Sequence, residues 1–157
     1  MIQRIQTLFL FFSIVAMVVM LFSPIWTKTN PQTNETVLLS PMTLVHKQQN
    51  QVIVQHSTMY IAILAFVSIA FAFLSIFTYK NRMRQVIYNL LNILALIGVL
   101  GCLVYASSKG EGMLKSVPQG NFGIGYFMPA IAVIMNALAN RFIRRDEKLV
   151  KSADRLR

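Results

Sequence analysis

Charge is missing from four long stretches of this sequence. Thr7–Trp26, Ser57–Tyr79, Val86–Ser108 and Ser116–Asn140 contain no Asp, Glu, Lys or Arg. Each is about as long as the ~20 apolar residues that carry an α-helix across ~30 Å of hydrocarbon. A charge at the bilayer centre costs at least ~2.5–3.5 kcal/mol. The segregation therefore predicts an all-α membrane protein with four transmembrane helices, over about 7–26, 58–79, 86–107 and 122–140. The same absence limits mechanism. Proton-coupled transport normally places Asp, Glu or His at membrane depth, and these runs hold none.

Other scarcities narrow the chemistry. Cys102 is the single cysteine, so no intrachain disulfide can form, and it reads as a small packing residue. Histidine occurs twice, at His46 and His56, and Glu35 is the only carboxylate between the first two spans. A zinc site needs three or four convergent ligands, so no metal is expected. No nucleophile elbow, zinc-protease helix or phosphate-binding glycine loop occurs, and no carboxylate pair flanks a span. The reading is a non-enzyme with no catalytic residues and no cofactor. An enzymatic alternative would have to draw on His46, His56 and Glu35.

What is present is apolar bulk and positive charge. The chain is 55% hydrophobic and 13% charged, against about 25% charged in a soluble domain. Its net charge is +10. Eleven of the fifteen Lys and Arg residues precede the first span, link spans two and three, or follow span four. The positive-inside rule puts those segments, and both termini, in the cytoplasm. The first span lacks a small-residue cleavage site after Phe22-Ser23-Pro24, so it reads as retained. Trp26 and Tyr79 then fall at the outer and inner interfaces, where amphipathic aromatics collect.

Residues 27–56 form the first extracytoplasmic loop. Thr27–Asn34 carries turn and coil chemistry. Two β-branched runs follow, over 36–45 and 51–55, with Pro41 splitting the first or confining it to an edge. They predict a small antiparallel hairpin, which needs support from the helix ends or a partner because lone hairpins are marginal in water. Gly120, Gly123 and Gly125 lead into span four. They read as a loose helix start in preference to a close backbone approach.

Asn89 and Asn92 share one helix face, and Asn136 and Asn140 share another. Amides in hydrocarbon need partners, so the four read first as intramembrane packing groups worth ~0.6–2 kcal/mol per contact. The alternative is a cluster that grips a polar headgroup or solute. Ser68/Ala72 and Gly98/Cys102 form small faces for close helix contact, and Pro129 interrupts the donor ladder early in span four. The tail 141–157 reads RFIRRDEKLVKSADRLR. Its spacing predicts a cytoplasmic amphipathic helix. Arg141, Arg144, Arg145, Lys148, Lys151 and Arg155 are candidates for anionic-lipid or partner docking. It lacks the interleaved aromatics of single-strand binders, so no nucleic acid is expected.

The opening Met1-Ile2-Gln3-Arg4-Ile5-Gln6-Thr7 and the closing segments Asn136–Arg141, Ile143–Val150 and Ser152–Arg155 resemble a bacterial integral-membrane family, domain of unknown function 4293. The resemblance covers the whole chain. It implies a four-helix inner-membrane protein of this length and carries no activity or catalytic residue. The order of elements is also similar to the claudin-like plan, without that plan's cysteine pair in the first loop. The expectation is one membrane domain over 1–157, serving as a non-enzymatic accessory or scaffold subunit. Its partners would be the phospholipid bilayer, other inner-membrane subunits and a cytoplasmic protein at the tail. The alternative is a small lipid- or solute-binding or transport protein.

Overall fold

A computed structural model describes residues 2–49, 51–79, 81–114 and 119–154, with side chains described over 5–49, 51–79, 81–114 and 119–146. Four helices carry the chain: α1 (Ile2–Phe22), α2 (Met59–Phe77), α3 (Arg82–Glu111) and α4 (Ile124–Asp154). All four are long and apolar enough to cross a membrane. Five strands lie between them: β1 (Trp26–Asn30), β2 (Glu35–Leu39), β3 (Thr43–Gln48) and β4 (Gln51–Ser57) after α1, and β5 (Asn121–Phe122) just before α4. The chain order puts the strands at one end of the bundle and both described termini at the other.

Helix packing follows a heptad-like stripe on every helix. In α3 the buried stripe runs Gln85, Asn89, Asn92, Leu96, Val99, Leu103, Ala106 and Gly110, with Ser107 buried beside it. Their alternating steps of four and three keep one seam facing neighbouring helices, as in left-handed bundles. α1 buries Gln6, Leu10, Ser13, Met17 and Met20, and α2 buries Ile61, Ala65, Ser68, Ala72 and Ser75. α4 buries Ala132, Asn136, Ala139 and Ile143 with the same spacing. The small faces do meet partners: Ser68 bonds across to α3, and Gly98 lies against Leu64. Outside the stripes, large apolar side chains such as Phe11, Phe22, Ile63, Phe66, Leu94 and Ile134 are exposed. An apolar exterior over this length suits hydrocarbon as the solvent.

The strands build a five-stranded antiparallel sheet in the order β4-β3-β2-β1-β5, larger than the hairpin expected. Pro41 falls in the β2–β3 turn, so it splits the expected first strand in two. Thr27–Asn34, read as coil, supplies β1 instead. Its burial alternates, with Trp26, Lys28 and Asn30 turned inward. Two of those inward residues are polar, which hid the period-2 signal. β1 pairs with Leu39 through Glu35 of β2 on one side and with Phe122 and Asn121 on the other.

Trp26 is not an interfacial anchor. It is fully buried and joins Met20, Ile25, Val37, Leu39, Leu44, Leu103 and Ala106 in the core between sheet and helix ends. Gly110 and Gly120 flank its indole so closely that a Cβ on either would lie 2.6 or 2.5 Å from a ring carbon. Gly123 lies where a Cβ would sit 2.3 Å from the Pro24 carbonyl oxygen, and its N–H donates to Ile25 O at 2.8 Å. Gly120 and Gly123 thus serve close approach, the reading the sequence left second.

Candidate functional site

The buried seams change character along the bundle. In the half beneath the sheet they are apolar, with Met17, Met20, Leu96, Val99, Leu103 and Ala132. In the half toward the termini they carry Gln6, Ser68, Ser75, Gln85, Asn89, Asn92 and Asn136, all buried. The structure thus gathers Asn89, Asn92 and Asn136 in one polar interior. Asn89 Nδ2 donates to the Asn136 carbonyl at 3.3 Å, and Ser68 Oγ donates to Asn92 Oδ1 at 2.6 Å. Asn140 follows one turn further along α4 and is partly buried.

These contacts use only part of the amide capacity. Among the described residues, Asn89 Oδ1, Asn92 Nδ2, both side-chain polar atoms of Asn136, Asn140 Oδ1 and Gln6 Nε2 have no hydrogen-bond partner. The set balances donors and acceptors and bears no charge, so it can hold a neutral hydrogen-bonding group. It cannot titrate near neutral pH. Gln6 and Ser75 were not singled out from the sequence, and Ser68 only as part of a small packing face. The signal that finds them is the heptad stripe, which each of them occupies.

Two ion pairs pin the ends of the bundle. Near the sheet, Lys28 of β1 pairs with Glu111 at the end of α3, and Glu111 Oε1 also accepts from Gly120 N–H at 2.8 Å. Lys28 is 4% exposed. Glu111 lies beyond the 86–107 span. Burial alone would raise its carboxyl pKa, but donation from Lys28 and Gly120 outweighs that and holds it below the ordinary value. At the other end Arg82 pairs with Asp146 at 2.9 Å and donates to the Asp146 carbonyl at 3.1 Å. That contact ties the start of α3 to the extension of α4.

The basic tail is the continuation of α4, which runs unbroken to Asp154. Arg141, Arg144 and Arg145 are exposed. Lys148 and Lys151 lie on the helix, with side chains outside the described residues, and Arg155 lies outside them altogether. The spacing of Arg141, Arg144, Arg145 and Lys148 places them along one helix face.

His46 of β3 and His56 of β4 lie diagonally across one strand pair, since Leu44 opposes His56 and His46 opposes Val54. Glu35 sits elsewhere, opposite Gln48. Among the described residues no three His, Cys, Asp or Glu side chains converge.

The model of a family described as a domain of unknown function, DUF4293, matches residues 2–156. The chain belongs to the DUF4293 family. No curated protein matches it. For this DUF4293 member the geometry offers three candidate surfaces: the amide interior, the basic face of α4, and β4, which stands at the edge of the sheet with no strand on its outer side among the described residues.

Proposed function

We propose that this chain is a non-enzymatic accessory or scaffold subunit of a bacterial inner-membrane assembly. In this reading both termini are cytoplasmic and the sheet stands on the opposite face. The distribution of Lys and Arg supports that orientation. The open edge of β4 carries the proposal. It offers unpaired main-chain groups and exposed Val52 and Ile53 to a partner, at the end of a bundle whose seams hold no ionisable group near their centre. The α4 extension supplies a second contact, an amphipathic cytoplasmic segment held in place by Arg82 and Asp146. Arg141, Arg144 and Arg145 face outward from it, with Lys148, Lys151 and Arg155 following in the sequence.

The test is purification of the tagged protein from gently solubilised native membranes. A stoichiometric companion, identified by mass spectrometry and size, is the expected result. A lone monomer would overturn the proposal. Deleting Lys148–Arg157 should lower recovery of a cytoplasmic companion while membrane retention stays unchanged, because four spans hold the protein in the bilayer. If the deletion leaves the companion bound, the tail is only a lipid anchor.

A second reading is favoured by the unpaired amides. A chain with these groups could bind a small neutral solute or a lipid headgroup through Asn89, Asn92, Asn136 and Asn140. Alanine at Asn89 and Asn136 separates the two roles. Lower melting temperature and membrane level mark packing groups. Unchanged melting with loss of a co-purified small molecule marks a binding site.

A further inference from the structure

β4 lacks two of the common guards of a sheet edge. Exposed edges are commonly protected by charge or proline, and Gln51–Ser57 reads QVIVQHS, with neither. Val52 and Ile53 are 54% and 51% exposed. The β3–β4 register shifts between His46 and Lys47, which leaves Ile53 as an extra residue on β4.

The direction of the free main-chain groups follows from alternation along an antiparallel ladder. Ser40 N–H donates to Thr43 O at 2.8 Å, and Thr58 N–H donates to Met42 O at 2.9 Å. Thr43, Val45 and Lys47 therefore turn their main-chain groups toward β2. Met42, Leu44 and His46 turn theirs toward β4. The β4 residues opposite Thr43, Val45 and Lys47 are Ser57, Gln55 and Val52. Their N–H and C=O groups point away from β3, into the open edge.

Those positions suit the strand's own copy. Val52 and Gln55 both carry outward groups, so in a two-fold pair each can oppose the other. Two copies laid antiparallel, with Val52 opposite Gln55, bring outward main-chain groups face to face. Ile53 then opposes Val54 on each side of the contact, and no charged side chain enters it. We propose that β4 pairs with β4 of a second copy across a two-fold axis normal to the sheet.

That axis keeps both bundles on the same face of the joined sheet, so both chains enter one bilayer in the same sense. α2 starts just past β4, and its exposed Met59, Ile63 and Phe66 lie on the helix that continues from this edge. The inference rests on the scaffold reading and names its first partner as the chain itself.

Cysteine pairs test the register. In a Cys102→Ser background, Val52→Cys and Gln55→Cys are co-expressed on differently tagged chains and oxidised in native membranes. The Cα atoms of a directly opposed hydrogen-bonded pair, about 5.5 Å apart, lie within disulfide reach. A mixed-tag disulfide dimer is expected from this pair, with little from Gln32→Cys in the β1–β2 turn. Gln55→Pro should abolish the dimer, since it removes an outward N–H and leaves the β3 ladder intact. Its circular dichroism should match the parent. No mixed disulfide, or equal cross-linking at every pair, would overturn the proposal. A stoichiometric different subunit recovered alongside a negative cross-link defeats self-pairing and leaves the scaffold reading standing. A monomer with neither defeats both.

Discussion

Replacing Gly120 with alanine puts a methyl group 2.5 Å from a Trp26 ring carbon, and Gly110→Ala puts one 2.6 Å away on another. The indole is fully buried between sheet and helices, so it cannot swing aside without moving the core. Each substitution should cost about 1–3 kcal/mol, read as a lower melting temperature in detergent. Gly101, whose Cβ would meet nothing within 4 Å, is the control. Glu111 makes a second prediction at this scale. Its folded pKa is depressed by Lys28 and Gly120 against the raising effect of burial. Its contribution to stability is therefore fully present above the unfolded carboxylate value and is lost as pH falls through the lower folded value. Melting measured from pH 7 downward should show that loss, and Glu111→Gln should flatten it. Glu111→Gln also leaves buried Lys28 without its counter-charge. It should destabilise by about 3 kcal/mol at pH 7, more than Lys28→Met does.

Elements joined by tight geometry accept a different kind of change. β3 and β4 are linked by a short turn in which Gln49 has φ 46°, in the left-handed region. Gln49→Gly relieves about 1 kcal/mol of strain, partly offset by the greater freedom of glycine in the unfolded chain. A net gain of about 0.5 kcal/mol is expected, visible as a small rise in melting temperature. Legibility also varies by element. The four helices could be read from sequence because charge exclusion acts on each span separately and needs no knowledge of neighbours. Strands β2, β3 and β4 were partly visible as β-branched runs. β1 was not, because Lys28 and Asn30 face inward, Lys28 made tolerable by a glutamate 83 residues away and Asn30 by accepting from Gln32 N–H. β5 is two residues long and exists only because β1 lies beside it. Asn89 and Asn92 were legible as one helix face, and Asn136 and Asn140 as another, because helix periodicity places each pair without any tertiary information. Their company with Gln6, Ser68 and Gln85 required the helix packing itself.

At the scale of the whole molecule the polar and apolar halves of the bundle should differ in stability. Below the sheet, Leu96, Val99, Leu103 and Ala106 are sealed against Trp26, Met17 and Met20. Toward the termini the seams hold amide atoms with no partner among the described residues. Each such group costs about 1–3 kcal/mol when buried, and regions with fewer compensating contacts open first. α3 crosses both halves, so it reports on each within one continuous helix. Amide hydrogen exchange should be faster over 82–92 than over 96–107, although both lie inside α3. Helix-end fraying would produce a gradient confined to the first turn. An amide-driven difference should instead extend to Asn92 and respond to substitution on another helix. Asn136→Leu supplies that substitution, since it removes two unpaired polar atoms while keeping the number and branching of the side-chain heavy atoms. If the amides weaken this half, the variant slows exchange across 85–92 and leaves 96–107 unchanged. If a bound solute or water satisfies them in the native protein, the same change should accelerate exchange there. The sign of the response therefore separates an unfilled polar seam from an occupied one.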